Sequence, residues 1–153
     1  MTFYNPNTTV FCNYLATMGI FPSPWGRFIF VNNSSVAGFK GIAGSNSNSG
    51  NSPQEAMSTV FGTTGALSQA VATRGDIIIV GPGHSETLTA VGTVSVANVS
   101  IVGCMAGGLR PTFTVNGAID LFDITAAGVT LGGLHMTIVT TDAATALVNI
   151  GAA

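Results

Sequence analysis

Residues 93–103, TVSVANVSIVG, align without gaps on residues 123–133, DITAAGVTLGG. Val94 matches Ile124, Val99 matches Val129, Ser100 matches Thr130, Ile101 matches Leu131 and Gly103 matches Gly133, at an offset of 30 residues. Self-similarity at a fixed period of roughly 20–50 residues is the signature of stacked repeats. Each unit of such a stack buries its apolar face only against its neighbours. Equivalent residues must therefore sit side by side in space, and few architectures meet that condition.

From Arg74-Gly75-Asp76 onward the chain is a series of short apolar runs separated by Gly, Asn, Pro and Thr. They are Ile77–Val80, Glu86–Leu88, Thr93–Val96, Val99–Val102, Thr112–Val115, Leu121–Ile124, Val129–Leu131, Met136–Val139 and Leu147–Ile150. No helical pattern lies between them, which excludes a doubly wound α/β fold. Only Asn116-Gly117 offers a tight hairpin signal, which argues against a meander. Three strands fit each 30-residue unit. The first coil is 77–80, 86–88 and 93–96; the second is 99–102, 112–115 and 121–124; the third is 129–131, 136–139 and 147–150. The predicted fold class is all-β, a short right-handed parallel β-helix of about three coils over residues 76–153. Ile101 and Leu131 should face its interior in neighbouring coils, with Ser100 on the outer face.

Two segments precede the stack. In 27–75, RFIFV (27–31) reads as a strand, and 32–52, ending GSNSNSGNS, reads as a polar loop. Ser52-Pro53-Gln54-Glu55 then carries a helix start: Ser52 to cap, Pro53 at the first helical position, Glu55 to return the bond. Ala56, Val60 and Phe61 would form the apolar stripe, with further helical turns over Ala66–Thr73. This capping helix would close the N-terminal end of the stack, where free strand edges invite aggregation. Residues 1–26 form an extended N-terminal arm. Six of the twelve aromatics fall in its first 25 residues, namely Phe3, Tyr4, Phe11, Tyr14, Phe21 and Trp25, with no period of 2 or 3.6. Pro22 and Pro24 stop a helix there. An aperiodic aromatic arm points to docking between subunits; folding back over its own core is the alternative.

Charge is scarce. Four basic residues (Arg27, Lys40, Arg74, Arg110) and six acidic ones (Glu55, Asp76, Glu86, Asp120, Asp123, Asp142) make 7% of the chain, against about 25% in ordinary domains. A surface of Ser, Thr, Asn, Gly and apolar groups keeps a free monomer poorly soluble, so much of it should lie against other subunits. Four scattered cations do not form the basic patch that nucleic acid requires. Cys12 and Cys104 fit neither a zinc nor a redox spacing and read as buried free thiols. No run approaches the 18 or so apolar residues of a membrane span, and no charged region precedes Arg27 to suggest a secretory leader. One domain with an N-terminal extension is the expected count.

GDIIIVGPGHSETL (75–88), VSVANVSIVG (94–103), RPTFTV (110–115) and DITAAGVTLGGLHM (123–136) together resemble the β-helix structural proteins of tailed bacteriophages, which are similar in fold to the pectin-lyase-like superfamily. SPQEAMST (52–59) resembles the capping helix that those proteins place before the Gly-Asp opening the first coil. The resemblance spans roughly residues 27–150. It implies a virion structural role, assembly in the host bacterial cytoplasm, and a homo-oligomer, with a trimer favoured.

Enzymes of the pectin-lyase-like kind need clustered carboxylates. Glu86 is the only acid in the second-strand stack. Asp120 and Asp123, three residues apart, would face opposite sides of a sheet. In PGHSE (82–86), His84, Ser85 and Glu86 are adjacent, the wrong spacing for a triad. A coil corner in which His84 and Glu86 serve exposed backbone amides is the simpler reading. His135, between Leu134 and Met136, reads as a hydrogen-bonded residue rather than a metal ligand. The glycines at 103–108 and 128–133 lack the Lys-Ser/Thr and following helix of a phosphate loop. The sequons at Asn7, Asn33 and Asn98 are chance matches. The expectation is a protein without catalytic residues, cofactor or metal: a capsid decoration protein stabilising a phage head beside the major capsid protein. A carbohydrate-binding or carbohydrate-cleaving β-helix of a tail spike or fibre is the alternative.

Overall fold

Ile77-Ile78-Ile79-Val80 is four apolar residues in a row, the pattern of a strand covered on both faces. In the computed structural model, which describes residues 15–17, 19–20, 23, 25–35, 39, 43–106, 108–139 and 146–151, all four are buried. This strand is β2, and it lies between β1 (Phe28–Val31) and β5 (Ser100–Gly103), with β8 (Thr130–Gly132) beyond, all parallel. A second sheet orders β3 (Ser85–Leu88), β6 (Thr112–Val115) and β9 (His135–Ile138). A third orders β4 (Gly92–Val94), β7 (Phe122–Ile124) and β10 (Val148–Ile150). From β2 onward the chain visits the first, second and third sheets in turn, three times over. The protein is all-β with parallel sheets, and no described helix is long and apolar enough to cross a membrane.

One face of each sheet meets a common apolar cluster. Ile29, Ile78 and Ile101 come from the first sheet, Leu88 and Phe113 from the second, Val94 and Phe122 from the third. Phe61 joins Phe113 and Phe122 in a mutual aromatic contact, with centroids 5.1 to 6.1 Å apart. Leu131 packs against the same cluster beside Ile101, as the repeat requires. The other face of the first sheet is apolar too. Ile77, Ile79 and Val102 bury Leu15 and Ile20 there. These two residues of the arm follow its alternative reading and fold back over their own sheet, because β2 is apolar on both sides. Trp25 is 82% exposed. The arm's other aromatics lie outside the described residues.

The repeat is visible in the register. Thr93 pairs with Asp123, Val94 with Ile124, Ser100 with Thr130 and Ile101 with Leu131. Its corner is equally regular. Asn98 (φ 59°) and Gly128 (φ 70°) hold the same left-handed conformation, and the Asn98 N–H donates to Ala127 O at 2.9 Å. Asn tolerates this region better than other residues with a side chain. Thr73 (φ 68°) begins the column one level earlier, with its N–H toward Ala97 O at 3.4 Å.

Gly103 and Gly133 match in the repeat because they touch. A Cβ on Gly103 would run into the Gly133 carbonyl oxygen and stand 2.6 Å from Pro111 Cγ. Gly103→Ala should therefore force the backbone apart and cost about 1–3 kcal/mol, read as a lower urea midpoint with an unchanged slope.

The N-terminal end is closed by irregular chain, not by the expected helix. Ser52 does accept from the Glu55 N–H at 3.3 Å and Pro53 does open a turn, but the turn is a 3-10 turn, Pro53–Glu55. Glu55 bonds Ser49 Oγ at 2.7 Å instead of returning to the cap. The helix cannot propagate, because the Met57 N–H is drawn to Phe30 O at 2.8 Å. Phe30 N–H in turn donates to Gly50 O, and Asn32 N–H to Met57 O, both at 2.8 Å. Residues 50–57 thus pair with the outer edge of β1. RFIFV, placed outside the stack by its sequence, is the fourth strand of the first sheet. The only described α-helix of four residues or more, α1 (Ala66–Gln69), lies beside β4 and leaves an open pocket of about 380 Å3 between them. At the opposite end no described strand pairs with the outer edges of β8, β9 and β10. Their side chains are half-buried or exposed, Ile150 at 77%.

Candidate functional site

Strand alternation divides PGHSE. Ser85 and Thr87 point outward, while Glu86 and Leu88 face the interior, and His84 is fully buried just before them. Ser85 is therefore on the opposite face from both of its sequence neighbours, and the three side chains do not converge. The backbone amides that Glu86 serves are interior ones, where the sequence suggested exposed ones, while His84 serves the amide of exposed Asn33.

Glu86 accepts from the Val60 N–H at 2.8 Å and the Phe61 N–H at 3.1 Å. His84 Nε2 lies 3.2 Å from Glu86 Oε2, and Asn33 N–H donates to His84 Nδ1 at 3.2 Å. The Asn33 donor fixes the imidazole proton on Nε2, so the ring donates to the carboxylate. A buried carboxylate needs such donors in place of water. Asn33 also spans the backbone of Ser85, its Nδ2 on Ser85 O at 2.5 Å and its Oδ1 accepting from Ser85 N–H at 2.9 Å. Its amide stands in for a peptide of a neighbouring strand at the edge of β3. The three residues 84–86 thus grip both ends of the closing segment, Asn33 at its start and Val60-Phe61 at its finish. This is a clasp in which the His84 ring and the Glu86 carboxylate are buried.

A second buried acid holds the same segment from below. Asp76 is 1% exposed. Its carboxylate accepts from Arg27 N–H and Val71 N–H, each at 2.9 Å, and from Arg74 Nε and Nη2, each at 2.6 Å. Burial pushes its pKa upward, but the Arg74 side-chain bonds, the two backbone donors and the Arg74 charge outweigh burial and hold it below the usual value. The Arg27 guanidinium bonds Gln69 Oε1 at 2.6 Å and Ser49 O at 3.4 Å. The Gly-Asp before the first apolar run was a signal for this hub, since an acid next to four apolar residues needs partners.

The remaining candidates do not gather. Asp123 is on β7 and Asp120 in the turn before it. His135 begins β9, with an exposed side chain. Cys104 is a free, half-buried thiol whose pKa burial pushes up to about 12, which leaves it a poor nucleophile. Among the described residues no three His, Cys, Asp or Glu side chains come together as a metal site. Cys12, Lys40 and Asp142 lie outside the described residues. The fold and its polar clusters define an all-β protein whose buried charges tie chain segments to parallel sheets. No protein-family model, curated protein or solved structure matches the chain.

Proposed function

We propose that the chain is a short right-handed parallel β-helix serving as a non-enzymatic structural subunit of a tailed-phage particle, a decoration protein beside the major capsid protein. The threefold rotation of the chain through three parallel sheets supports the β-helix, and right-handed crossovers are the rule for parallel strands. The phage assignment rests on the resemblance carried by residues 75–136.

The observation that carries the structural role is where the charges are. Arg74 pairs with Asp76, the Arg27 guanidinium is held by Gln69 and Ser49, and Glu86 is buried with His84. The fold consumes charge that would otherwise keep molecules apart. The described exterior keeps few charges, Glu55 and Arg110 among them, beside hydroxyls, amides and exposed Trp25, Met105, Leu109 and Ile150. The outer edges of β8–β10, which no described strand covers, add a template for association. Phe113 and Phe122, the aromatics that sugar stacking on the later strands would need, are wholly buried.

Light scattering on the purified chain should show a stable oligomer, with a trimer expected. Because few charges face outward, raising salt from about 0.1 M to about 1 M should leave it assembled, since salt screens only electrostatic contacts. A soluble monomer at micromolar concentration that does not attach to purified particles would overturn the proposal.

A further inference from the structure

Trp25 is the protein's single tryptophan, and it stands 82% exposed on a turn that is held in place. Its N–H donates to Ser23 Oγ at 3.3 Å, and the Gly26 N–H donates to Ser23 O at 3.1 Å. A Cβ on Gly26 would run into the Gly75 carbonyl oxygen. On the far side the Arg27 N–H is bound to Asp76 at 2.9 Å. An indole carried on a turn fixed from both sides gives up little backbone freedom when it docks. A tryptophan buried in a contact removes about 150–250 Å2 from water.

The open pocket between α1 and β4 is the complementary feature. Of its lining, Phe61 and Leu67 are buried, Val96 is half-buried, and Val91, Thr93 and Ser95 are exposed. No described lining residue is charged, so an apolar occupant displaces water without desolvating an ion. The Thr93 and Ser95 hydroxyls offer the acceptor that a buried indole N–H needs. The volume of about 380 Å3 falls in the range of pockets that enclose a small organic group, about 300–1,000 Å3. Trp25, exposed as it is, does not fill the pocket of its own chain. A second copy carries the missing half in equal number. The cations nearest both surfaces in sequence are already bound, Arg27 to Gln69 and Ser49 and Arg74 to Asp76, so two copies can meet there with little charge repulsion.

We propose that Trp25 of one copy fills the pocket lined by Phe61, Leu67, Val91 and Val96 of the next. The inference rests on the assembly reading and names its contact. Phe61 and Leu67 take the indole ring, and Thr93 or Ser95 accepts from its N–H. Knob and pocket are different residues, so each copy gives one and receives one, and such contacts repeat around a ring when the rotation closes. A ring of three uses every knob and every pocket once.

With one tryptophan in the chain, its fluorescence reads the contact directly. In the assembled protein the emission should lie to the blue and resist acrylamide quenching, and dilution to the monomer should reverse both. Trp25→Ala and Val91→Asp should each weaken self-association about tenfold or more, the loss of one interface hot spot. Both positions are exposed, so circular dichroism of the variants should match the parent. Mixed together, the two variants should pair. The Trp25→Ala chain has no tryptophan but an intact pocket, and the emission of the Val91→Asp chain should shift to the blue as it is added. An oligomer whose Trp25 stays open to acrylamide, or whose affinity Trp25→Ala leaves unchanged, would overturn this contact and leave the assembly reading standing. A shielded Trp25 that Val91→Asp does not expose would overturn the pocket as its seat. A parent that is monomeric yet attaches to purified particles would overturn docking between copies alone. A monomer that does not attach would overturn the assembly reading and this contact with it.

Discussion

Replacing Ile101 with Asp should unfold the protein or leave it a small fraction of its stability, while Ser100→Asp should be mild. Ile101 is fully buried between Ile78 and Leu131, its register partners on either side. A carboxylate there would face only apolar groups. It must take a proton or open the sheet, and either costs several kcal/mol. That approaches the whole 5–15 kcal/mol that typical domains possess. Ser100 is half-buried on the other face of the same strand, where water can reach an added carboxylate. Urea unfolding followed by far-ultraviolet circular dichroism reads the pair directly. Tolerance of Ile101→Asp together with loss of Ser100→Asp would mean that the register is off by one residue.

Asp76→Ala should cost about 1–3 kcal/mol, because it leaves part-buried backbone donors without their acceptor beside a half-exposed Arg74. The change strands the N–H groups of Arg27 and Val71 and releases Arg74. These donors come from both sides of the closing segment, so the loss should loosen residues 27–71 before the later strands. Hydrogen exchange would show that order. The same carboxylate sets a pH dependence. Its folded pKa is depressed, so its contribution is full above the unfolded value, about 3.9. The contribution is lost as pH falls from there through the lower folded value. Acid titration of the urea midpoint should fall through that window in the parent, and Asp76→Asn should remove that part of the fall.

The strands were legible in the sequence and the closure was not. Alternation in TFTV and the all-apolar IIIV placed β6 and β2, and the 30-residue match placed β5 against β8 in register. Such features are written in side chains. The pairing of Gly50 and Met57 with β1 is made by backbone groups, which every residue carries alike, so GSNSNSGNS read only as a loop. The Ser52 cap was a correct local signal, overridden two residues later when β1 claimed the Met57 amide. Glu86 misled for the opposite reason. An acid in an alternating strand reads as outward, and only the nearness of Val60 and Phe61 makes the inward orientation affordable. The pocket between α1 and β4 was invisible because Phe61 and Leu67 lie far in sequence from Val91 and Val96 and meet only in the fold.

The covered edge of β1 gives the molecule a direction. Asn33, Gly50 and Met57 already occupy the hydrogen bonds that a newcomer would need at that end. In the first sheet, strand addition can proceed only past β8, as a monomer joins one end of a polymer whose other end is terminated. Head-to-tail growth of the first sheet into a fibre is blocked at its first step, so the loop at 43–57 acts as a chain terminator.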